Sequence, residues 1–369
     1  MTYAKDPRVV LTLDAGGTKF AFSAVQSDRE VVERVTLPSN GDDLERCLDT
    51  IVEGFTRVKE TVPAPPAAIS FAFPGPADYP LGIVGGVGNL PAFKAGGVAL
   101  GPMLEDRFSV PVFINNDGDL FALGEAIAGF LPWVNGLLEE AGSPKRYRNL
   151  FGATFGTGFG GGIVSAGRLW QGDNSAGGEI WLLRNKLDPE SNIEEAVSIR
   201  AVRRVYAEGA GIPLEQSPEP KRIFEIGKGR APGRREAAIA AFCRLGEAAG
   251  DALANAITLV DGLVVIGGGL AGAAELFLPA LVAEMNAPFR TPAGPLMRLE
   301  MKAFNLENPA EREPFVTGER REVTVPRSKR TITYDPLERI GVGLSRLGTS
   351  KAVALGAYAF ALSALDARG

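Results

Sequence analysis

Short apolar runs alternate with longer stretches of helical spacing along most of the chain. Residues 9–13 and 20–25 are short, apolar and rich in β-branched side chains, which predicts strands. Residues 44–58 place apolar side chains three and four positions apart, which predicts an amphipathic helix. This alternation of strand and helix is typical of the α/β class.

The same plan recurs further along the chain. The predicted strands are residues 69–73, 112–114, 150–154, 162–165 and 263–266, and the predicted helices are residues 103–108, 120–130, 236–260 and 348–365. We therefore predict an α/β fold that is duplicated in structure but not in sequence.

Two glycine-rich turns follow predicted strands. DAGGTKF at residues 14–20 runs straight into another strand, so we predict a hairpin turn and not the strand-to-helix loop of a Rossmann or Walker motif. Glycines of such a turn are expected to adopt positive φ and to present backbone N–H groups to phosphate oxygens, with the Thr18 hydroxyl adding a donor. GATFGTGFGGG at residues 152–162 repeats the pattern. A plain hairpin turn is the alternative for either one.

INNDGD at residues 114–119 lies between a predicted strand and a predicted helix. Open α/β sheets place ligand chemistry outside the carboxyl ends of their strands, so Asn116 and Asp117 are candidate site residues. The alternative is that Asp117 and Asp119 cap the helix, and two acids are enough for both tasks.

The chain contains no histidine. This excludes a Ser-His-Asp triad, a histidine general base and every histidine-ligated metal site. Catalysis must rest on carboxylate, amine, hydroxyl or backbone groups.

Charge and cysteine usage narrow the partners and the compartment. The net charge of −5 predicts no nucleic-acid binding, although residues 313–330 form a local basic patch. The two cysteines, Cys47 and Cys243, lack metal-ligand spacing, and we expect buried thiols in a reducing cytoplasm. The first residues do not resemble a signal peptide, and no stretch is expected to be long enough to span a membrane.

A chain of 369 residues predicts two lobes around a cleft. We expect a small lobe of residues 1–117 with 347–369 and a large lobe of residues 118–346. Residues 290–346 are rich in charge, with strand-like alternation in REVTVP and RTITY, and are expected to form a hairpin insertion or a flap.

In their order and spacing, these motifs resemble those of the ROK family of sugar kinases. The resemblance rests on DAGGTKF, FAFPGPAD, NLPAF, VPVFINNDGDLFALGE, GTGFGGGIVSAGRLWQG, GGEI and VVIGGGLA. It implies the actin, hexokinase and Hsp70-like fold with two ribonuclease-H-like lobes. It also implies a hexose or hexose derivative as substrate, with ATP and Mg²⁺ as cofactors.

The resemblance implies roles for individual residues. Asp117 is the expected general base, and Asp14 is expected to hold Mg²⁺ through water, unless it only supports its hairpin. The nucleotide-binding residues are expected to be Asp14, Gly16, Gly17, Thr18, Lys19, Gly156, Thr157, Gly158, Gly267, Gly268 and Gly269. The sugar-binding residues are expected to be Gly75, Asn89, Asn116, Glu179 and Glu194, each of which alone would more often be an exposed residue or a cap.

One segment departs from the family pattern. Glu179 and Ile180 are followed by Trp181 and Leu182, where the family continues with glycine and a histidine that serves both sugar and zinc. The family's cysteine cluster is also missing between residues 182 and 194, so we expect no zinc.

Two other classes of function compete with the kinase. A sugar-responsive repressor of this family carries a winged helix before the first motif, and the thirteen residues ahead of Asp14 are too few for one. A sugar-binding sensor without catalysis is the second alternative. Polyphosphate is an alternative donor to ATP, and a homodimer is the family's usual assembly.

Overall fold

The computed structural model describes residues 3–87 and 90–368, which form two compact units. The first unit consists of Met1–Gly129, Gly162–Gly177 and Leu347–Gly369. The second consists of Phe130–Gly161 and Gly178–Arg346.

The strands of the described residues are numbered in chain order. They are β1 (Val9–Ala15), β2 (Lys19–Gln26), β3 (Arg29–Glu30), β4 (Val35–Pro38), β5 (Pro66–Ala72), β6 (Ala77–Asp78), β7 (Ile83–Val84), β8 (Val112–Asn115), β9 (Leu150–Phe155), β10 (Phe159–Ser165), β11 (Arg168–Leu169), β12 (Arg184–Asn185), β13 (Asp188–Asn192), β14 (Leu263–Gly267), β15 (Pro288–Thr291), β16 (Gly294–Met297), β17 (Lys302–Asn305), β18 (Arg321–Thr324), β19 (Thr331–Tyr334) and β20 (Arg339–Leu344).

The helices are numbered in the same way. They are α1 (Leu44–Thr61), α2 (Leu100–Phe108), α3 (Asp117–Ala128), α4 (Phe130–Glu140), α5 (Ile199–Ala210), α6 (Pro220–Gly227), α7 (Arg235–Val260), α8 (Ala274–Met285), α9 (Pro309–Thr317) and α10 (Thr349–Asp366). Short 3₁₀ helices cover Pro91–Phe93, Ile180–Leu182, Ile193–Glu195, Leu214–Gln216 and Ala271–Ala273.

The first unit is built on a sheet with the order β3-β2-β1-β5-β8, to which β4 adds beside β2. Strands β1 and β2 form the predicted antiparallel hairpin, while β5 runs parallel to β1 and β8 runs parallel to β5. Helix α1 covers one face and packs Phe55 edge-on against Phe22, with ring centroids 5.2 Å apart. Asp43 caps this helix by accepting a hydrogen bond from the Arg46 backbone N–H at 3.1 Å.

Helices α3 and α10 of the first unit cross at backbone contact. A Cβ atom added to Gly356 would lie 1.9 Å from the carbonyl oxygen of Leu120, and one added to Gly124 would lie 2.0 Å from that of Ala352. The two helices approach this closely because each places a glycine where a side chain would separate them.

The second unit repeats the first four positions of the first unit's strand order, but carries two strands where the first unit has β8. Its sheet has the order β11-β10-β9-β14-β20-β17, and β14 runs parallel to both β9 and β20. Strand β10 continues into the first unit at Gly162, where it pairs with β11. The predicted α/β class and the predicted duplication of the strand plan are therefore confirmed.

The charged region at residues 290–346 is only partly an insertion. The hairpin β18–β19 forms where the alternation of REVTVP and RTITY predicted it. Strands β17 and β20, however, pair in parallel within the second sheet. Arg339 in β20 is buried, and its guanidinium pairs with Asp335 at 2.8 Å. Because the sequence shows the charges and not their pairing, this core strand was predicted to belong to an insertion.

Two smaller expectations are corrected. Cys47 is buried as expected, but Cys243 is only half-buried on α7. The 24-residue stretch Asp117–Glu140 is long and apolar enough to pass as a membrane span, which the sequence was expected not to contain. It consists of α3 and α4, and 61% of its apolar window is buried inside the protein, as in the core helices of globular proteins.

Candidate functional site

The first glycine turn, residues 16–18, joins β1 to β2. It is closed by the Gly16 N–H, which donates to the carbonyl oxygen of Lys19 at 3.1 Å. Its glycines do not adopt the expected positive φ. Gly16 is required for another reason, because an added Cβ would lie 2.9 Å from the same carbonyl oxygen.

Ser39 holds the carbonyl groups of this turn, a role that no sequence motif indicated. Its hydroxyl donates to the carbonyl oxygen of Gly17 at 2.7 Å, and its N–H donates to that of Thr18 at 3.0 Å. The backbone N–H groups of Gly17 and Thr18 have no acceptor in the part of the chain that the structure describes. A turn with anchored carbonyls and unbonded N–H groups is suited to an anion.

Asp14 and Lys19 flank the first turn, and both side chains are exposed. No donor within residues 3–87 or 90–368 is hydrogen-bonded to the Asp14 carboxylate. An exposed, unbonded carboxylate suits Mg²⁺, which keeps much of its water and favours oxygen ligands. Groups of three or more acidic or cysteine side chains that could hold a metal directly do not occur among the described residues.

The end of β8 and the start of α3 place Asn116 and Asp117 side by side. Asn116 is the N-cap, a role that the sequence had offered to Asp117 or Asp119. The N–H of Gly118 donates to Asn116 Oδ1 at 2.7 Å and to Asp117 Oδ1 at 2.9 Å. The Asn116 amide nitrogen has no acceptor among the described residues and is available to a ligand.

Asp117 and Asp119 differ in accessibility. Asp119, in the first turn of α3, is buried, with 3% of its surface exposed. Asp117 is exposed, yet protein atoms surround its carboxyl group and displace hydrating water, which raises its pKa above the ordinary 3.8. The negative charge of Asp14 raises the pKa further, whereas the Gly118 N–H opposes the rise. A carboxylate with a raised pKa is a better proton acceptor.

Two of the predicted sugar-binding residues, Gly75 and Asn89, precede Asn116 along the chain. Gly75 lies three residues after the end of β5, where an added Cβ would be 3.0 Å from the Tyr79 hydroxyl. Asn89 lies outside the described residues. Gln171 was not predicted, and its side-chain N–H donates to the Asn115 side-chain oxygen at 2.5 Å.

The second glycine turn, residues 156–158, joins β9 to β10 in the second unit. The Gly156 N–H closes it by donating to the carbonyl oxygen of Gly158 at 3.0 Å. The N–H groups of Thr157 and Gly158 have no acceptor within the described ranges. Glu194 lies against this turn and accepts a hydrogen bond from the Phe159 N–H at 3.0 Å.

The third glycine run ends β14 and precedes a 3₁₀ turn. Gly268 has φ +87°, and an added Cβ would lie 2.3 Å from the carbonyl oxygen of Phe155. Gly269 faces open space within 4 Å. Gly268 therefore meets a packing demand, while Gly269 leaves the backbone open to a flat ligand.

Glu179 is followed by a tryptophan that holds its side chain. The Trp181 indole N–H donates to Glu179 Oε2, and both side chains are half-buried. The exposed Leu182 stands where the resembling family carries its histidine. No sequence signal distinguished this pairing, because it depends on the turn of the 3₁₀ helix that begins at Ile180.

The predicted residues thus form separate groups within the two units. The first unit brings together the first turn, Asp14, Asn116 and Asp117. The second unit brings together the second turn and Glu194, with Glu179 in the segment that leads to them.

The sequence model of the ROK family matches residues 10–300. The chain is 31% identical over 270 residues to the N-acetyl-D-glucosamine kinase of Vibrio cholerae, covering 70% of this chain and 83% of that protein. It is 29% identical over 297 residues to the glucokinase of Thermotoga maritima, covering 74% of this chain and 85% of that protein. The crystal structure of a glucokinase from Parabacteroides distasonis is 55% identical, with a TM-score of 0.89 over 98% of this chain and 99% of that one.

Proposed function

Because the chain belongs to the ROK family, we propose that it transfers the γ-phosphate of ATP to a hydroxyl group of a hexose, with Asp117 as the general base. The relatives establish a carbohydrate kinase, as the motifs predicted. The observation that supports the role of Asp117 is its accessible carboxylate at the start of α3, with a raised pKa.

In the reaction, the sugar hydroxyl oxygen attacks the γ-phosphorus of ATP. The bond from that phosphorus to the bridging oxygen breaks, and its electron pair leaves on ADP. The hydroxyl proton passes to the Asp117 carboxylate. The N–H groups of both glycine turns are proposed to bind phosphate oxygens, with Gly269 near the nucleoside.

Asp14 is proposed to hold Mg²⁺ through water. The metal would neutralise phosphate charge, and the unbonded carboxylate fits such an outer-sphere role. We propose no zinc, since the two cysteines lie in different units and the described residues contain no group of three or more histidine, cysteine or acidic side chains that could hold a metal.

We propose glucose as the first substrate to test, because the 55% identical neighbour is a glucokinase. N-Acetylglucosamine is the second, from the curated relatives. Asn116 and Glu179 are proposed to bind sugar hydroxyls through the free amide and the carboxylate. The sugar-binding roles of Gly75 and Asn89 stay predictions.

The proposed function is tested by ADP release with Mg-ATP against glucose, mannose and N-acetylglucosamine. Sugar-dependent turnover supports the kinase and identifies the acceptor. Absence of turnover with every sugar, while a sugar still raises the melting temperature, would favour the sensor. Turnover with polyphosphate in place of ATP would identify polyphosphate as a phosphate donor.

The pH profile provides a second test. A base must be ionised, so activity is lost as the pH falls through the pKa of Asp117, which is raised above 3.8. We expect the acid limb of kcat/KM, measured at saturating Mg²⁺, to lie above the pH at which an ordinary aspartate titrates. A rate that stays constant down to about pH 4, near that ordinary pKa, would contradict the assignment.

Trp181→Phe should weaken sugar binding selectively. The variant keeps an aromatic ring but removes the N–H that holds Glu179. A hydrogen bond to a charged group is worth about 1.5–3 kcal/mol, so we expect KM for the sugar to rise roughly tenfold with KM for ATP unchanged. Trp133→Phe, a tryptophan stacked under Arg346 in the same unit, is the matched control. Equal sugar KM values for the two variants would refute the role.

We also propose a cytoplasmic homodimer. Hairpin β18–β19 leaves Val323, Ile332 and Tyr334 37%, 46% and 47% exposed. The strand register places these side chains on one face, and a two-stranded ribbon is marginal in water unless that face is covered. Sedimentation at micromolar concentration measures the assembly.

A further inference from the structure

The second glycine turn is held from one side at successive residues. The N–H of Ile199 donates to the carbonyl oxygen of Gly156 at 2.8 Å. The Arg200 guanidinium donates through Nη1 to the carbonyl oxygen of Thr157 at 3.2 Å. Together with the bond from the Phe159 N–H to Glu194, these contacts attach the whole turn to the segment that starts α5.

These contacts determine which backbone groups remain for a ligand. The carbonyl groups of Gly156 and Thr157 are occupied by protein donors, whereas the N–H groups of Thr157 and Gly158 have no acceptor in the described part of the chain. Gly158 is a glycine because the carboxylate occupies the side-chain position. An added Cβ there would lie 2.5 Å from Glu194 Oε2.

Arg200 is itself held by two carboxylates. Its Nη2 donates to Glu194 Oε1 at 2.9 Å and to Glu195 Oε1 at 2.6 Å. The backbone oxygen of Glu195 accepts from Arg204 Nη2 at 2.5 Å, which ties the group to the next turn of α5. The Arg200 side chain is 44% exposed, so these ion pairs contribute little to global stability.

Each carboxylate oxygen of Glu194 therefore accepts a hydrogen bond from the protein. Oε2 accepts from the Phe159 N–H, and Oε1 accepts from Arg200. The sugar-binding role that the family resemblance implies for Glu194 stays a prediction, because each carboxylate oxygen can accept a second hydrogen bond.

We propose that Arg200 and Glu194 are positioning residues for the nucleotide phosphates. The pair keeps the Thr157 and Gly158 N–H groups oriented toward a phosphate oxygen by holding the carbonyl side of the turn. The inference rests on the proposed function in taking a nucleoside phosphate as the ligand of this turn.

The test compares Arg200→Met and Arg200→Lys with Arg203→Met. Arg203 lies on the same helix but binds Ser217 and Glu219, away from the turn. Calorimetry with ADP measures nucleotide affinity without chemistry, and steady-state kinetics separate KM for ATP from KM for sugar. We expect Arg200→Met to weaken ADP binding and to raise KM for ATP by about tenfold, with sugar KM unchanged.

Arg200→Lys should recover only part of the affinity. An ammonium cannot reach a carboxylate pair and a carbonyl oxygen with the planar fork of a guanidinium. Glu194→Gln should likewise weaken ADP binding, because its amide loses the ion pair while its oxygen can still accept from Phe159.

The inference is overturned if Arg200→Met binds ADP as the wild type does, or if Glu194→Gln raises only the sugar KM. It is also overturned if the wild type binds no ADP. Support for the inference also requires that the Arg203→Met control stays active and binds ADP as tightly as the wild type. If the wild type binds ADP with the expected Arg200 dependence but phosphorylates no sugar, the proposed function fails while the inference stands.

Discussion

Asp117→Asn is expected to lower kcat for sugar phosphorylation by about 10²- to 10⁴-fold, the usual contribution of a general base. The amide keeps the size of the side chain and can still accept the Gly118 N–H, which donates to Asp117 Oδ1 at 2.9 Å. It cannot take the proton of the attacking hydroxyl. The affinity for ADP should stay unchanged, since the turns that bind phosphate are untouched.

The matched control is Asp106→Asn, an exposed aspartate on α2. It should retain the wild-type kcat. The measurement is coupled ADP release at saturating ATP and sugar, with calorimetry for ADP. A kcat for Asp117→Asn within threefold of the control would show that another group, or solvent, removes the proton.

Gly356→Ala is expected to destabilise the fold by roughly 1–3 kcal/mol or more. In an open helix the same change is stabilising by about 1 kcal/mol, so packing must reverse the sign. The reason is that a Cβ at Gly356 would lie 1.9 Å from the carbonyl oxygen of Leu120. Backbone atoms of two packed helices cannot move aside as the end of a side chain can.

Gly136→Ala on α4 is the control for sign, because nothing lies within 4 Å of an added Cβ there. Calorimetric melting should show a lower melting temperature for Gly356→Ala and an equal or higher one for Gly136→Ala. If both variants are stabilised, helices α3 and α10 are not in backbone contact in solution.

Local pattern was enough for the elements around the site. β-Branched runs on both sides of the first turn predicted a hairpin. In the structure β1 and β2 are antiparallel, and their paired residues extend from Val10 opposite Val25 to Ala15 opposite Phe20. The position of Asp117 after a strand followed from the same reasoning. These features depend on neighbouring residues, which the sequence displays directly.

Local pattern was misleading where long-range partners changed the meaning of a residue. The charges of residues 290–346 predicted a hairpin insertion or a flap, yet β17 and β20 lie side by side in the second sheet. The glycines of the first turn were expected for their positive φ, but Gly16 is required by the nearness of the Lys19 carbonyl oxygen.

The sequence by itself determined the α/β class, the three glycine runs, the family and the identity of the acids and amides available for catalysis. Tertiary structure alone decided how those groups are held. Ser39 and Arg200 come from outside the motifs to anchor the two turns, and Trp181 engages Glu179. Anchoring requires donors and acceptors to meet in space, and for Ser39 and Arg200 the partners lie 22 and 43 residues away along the chain, a distance that no local pattern encodes.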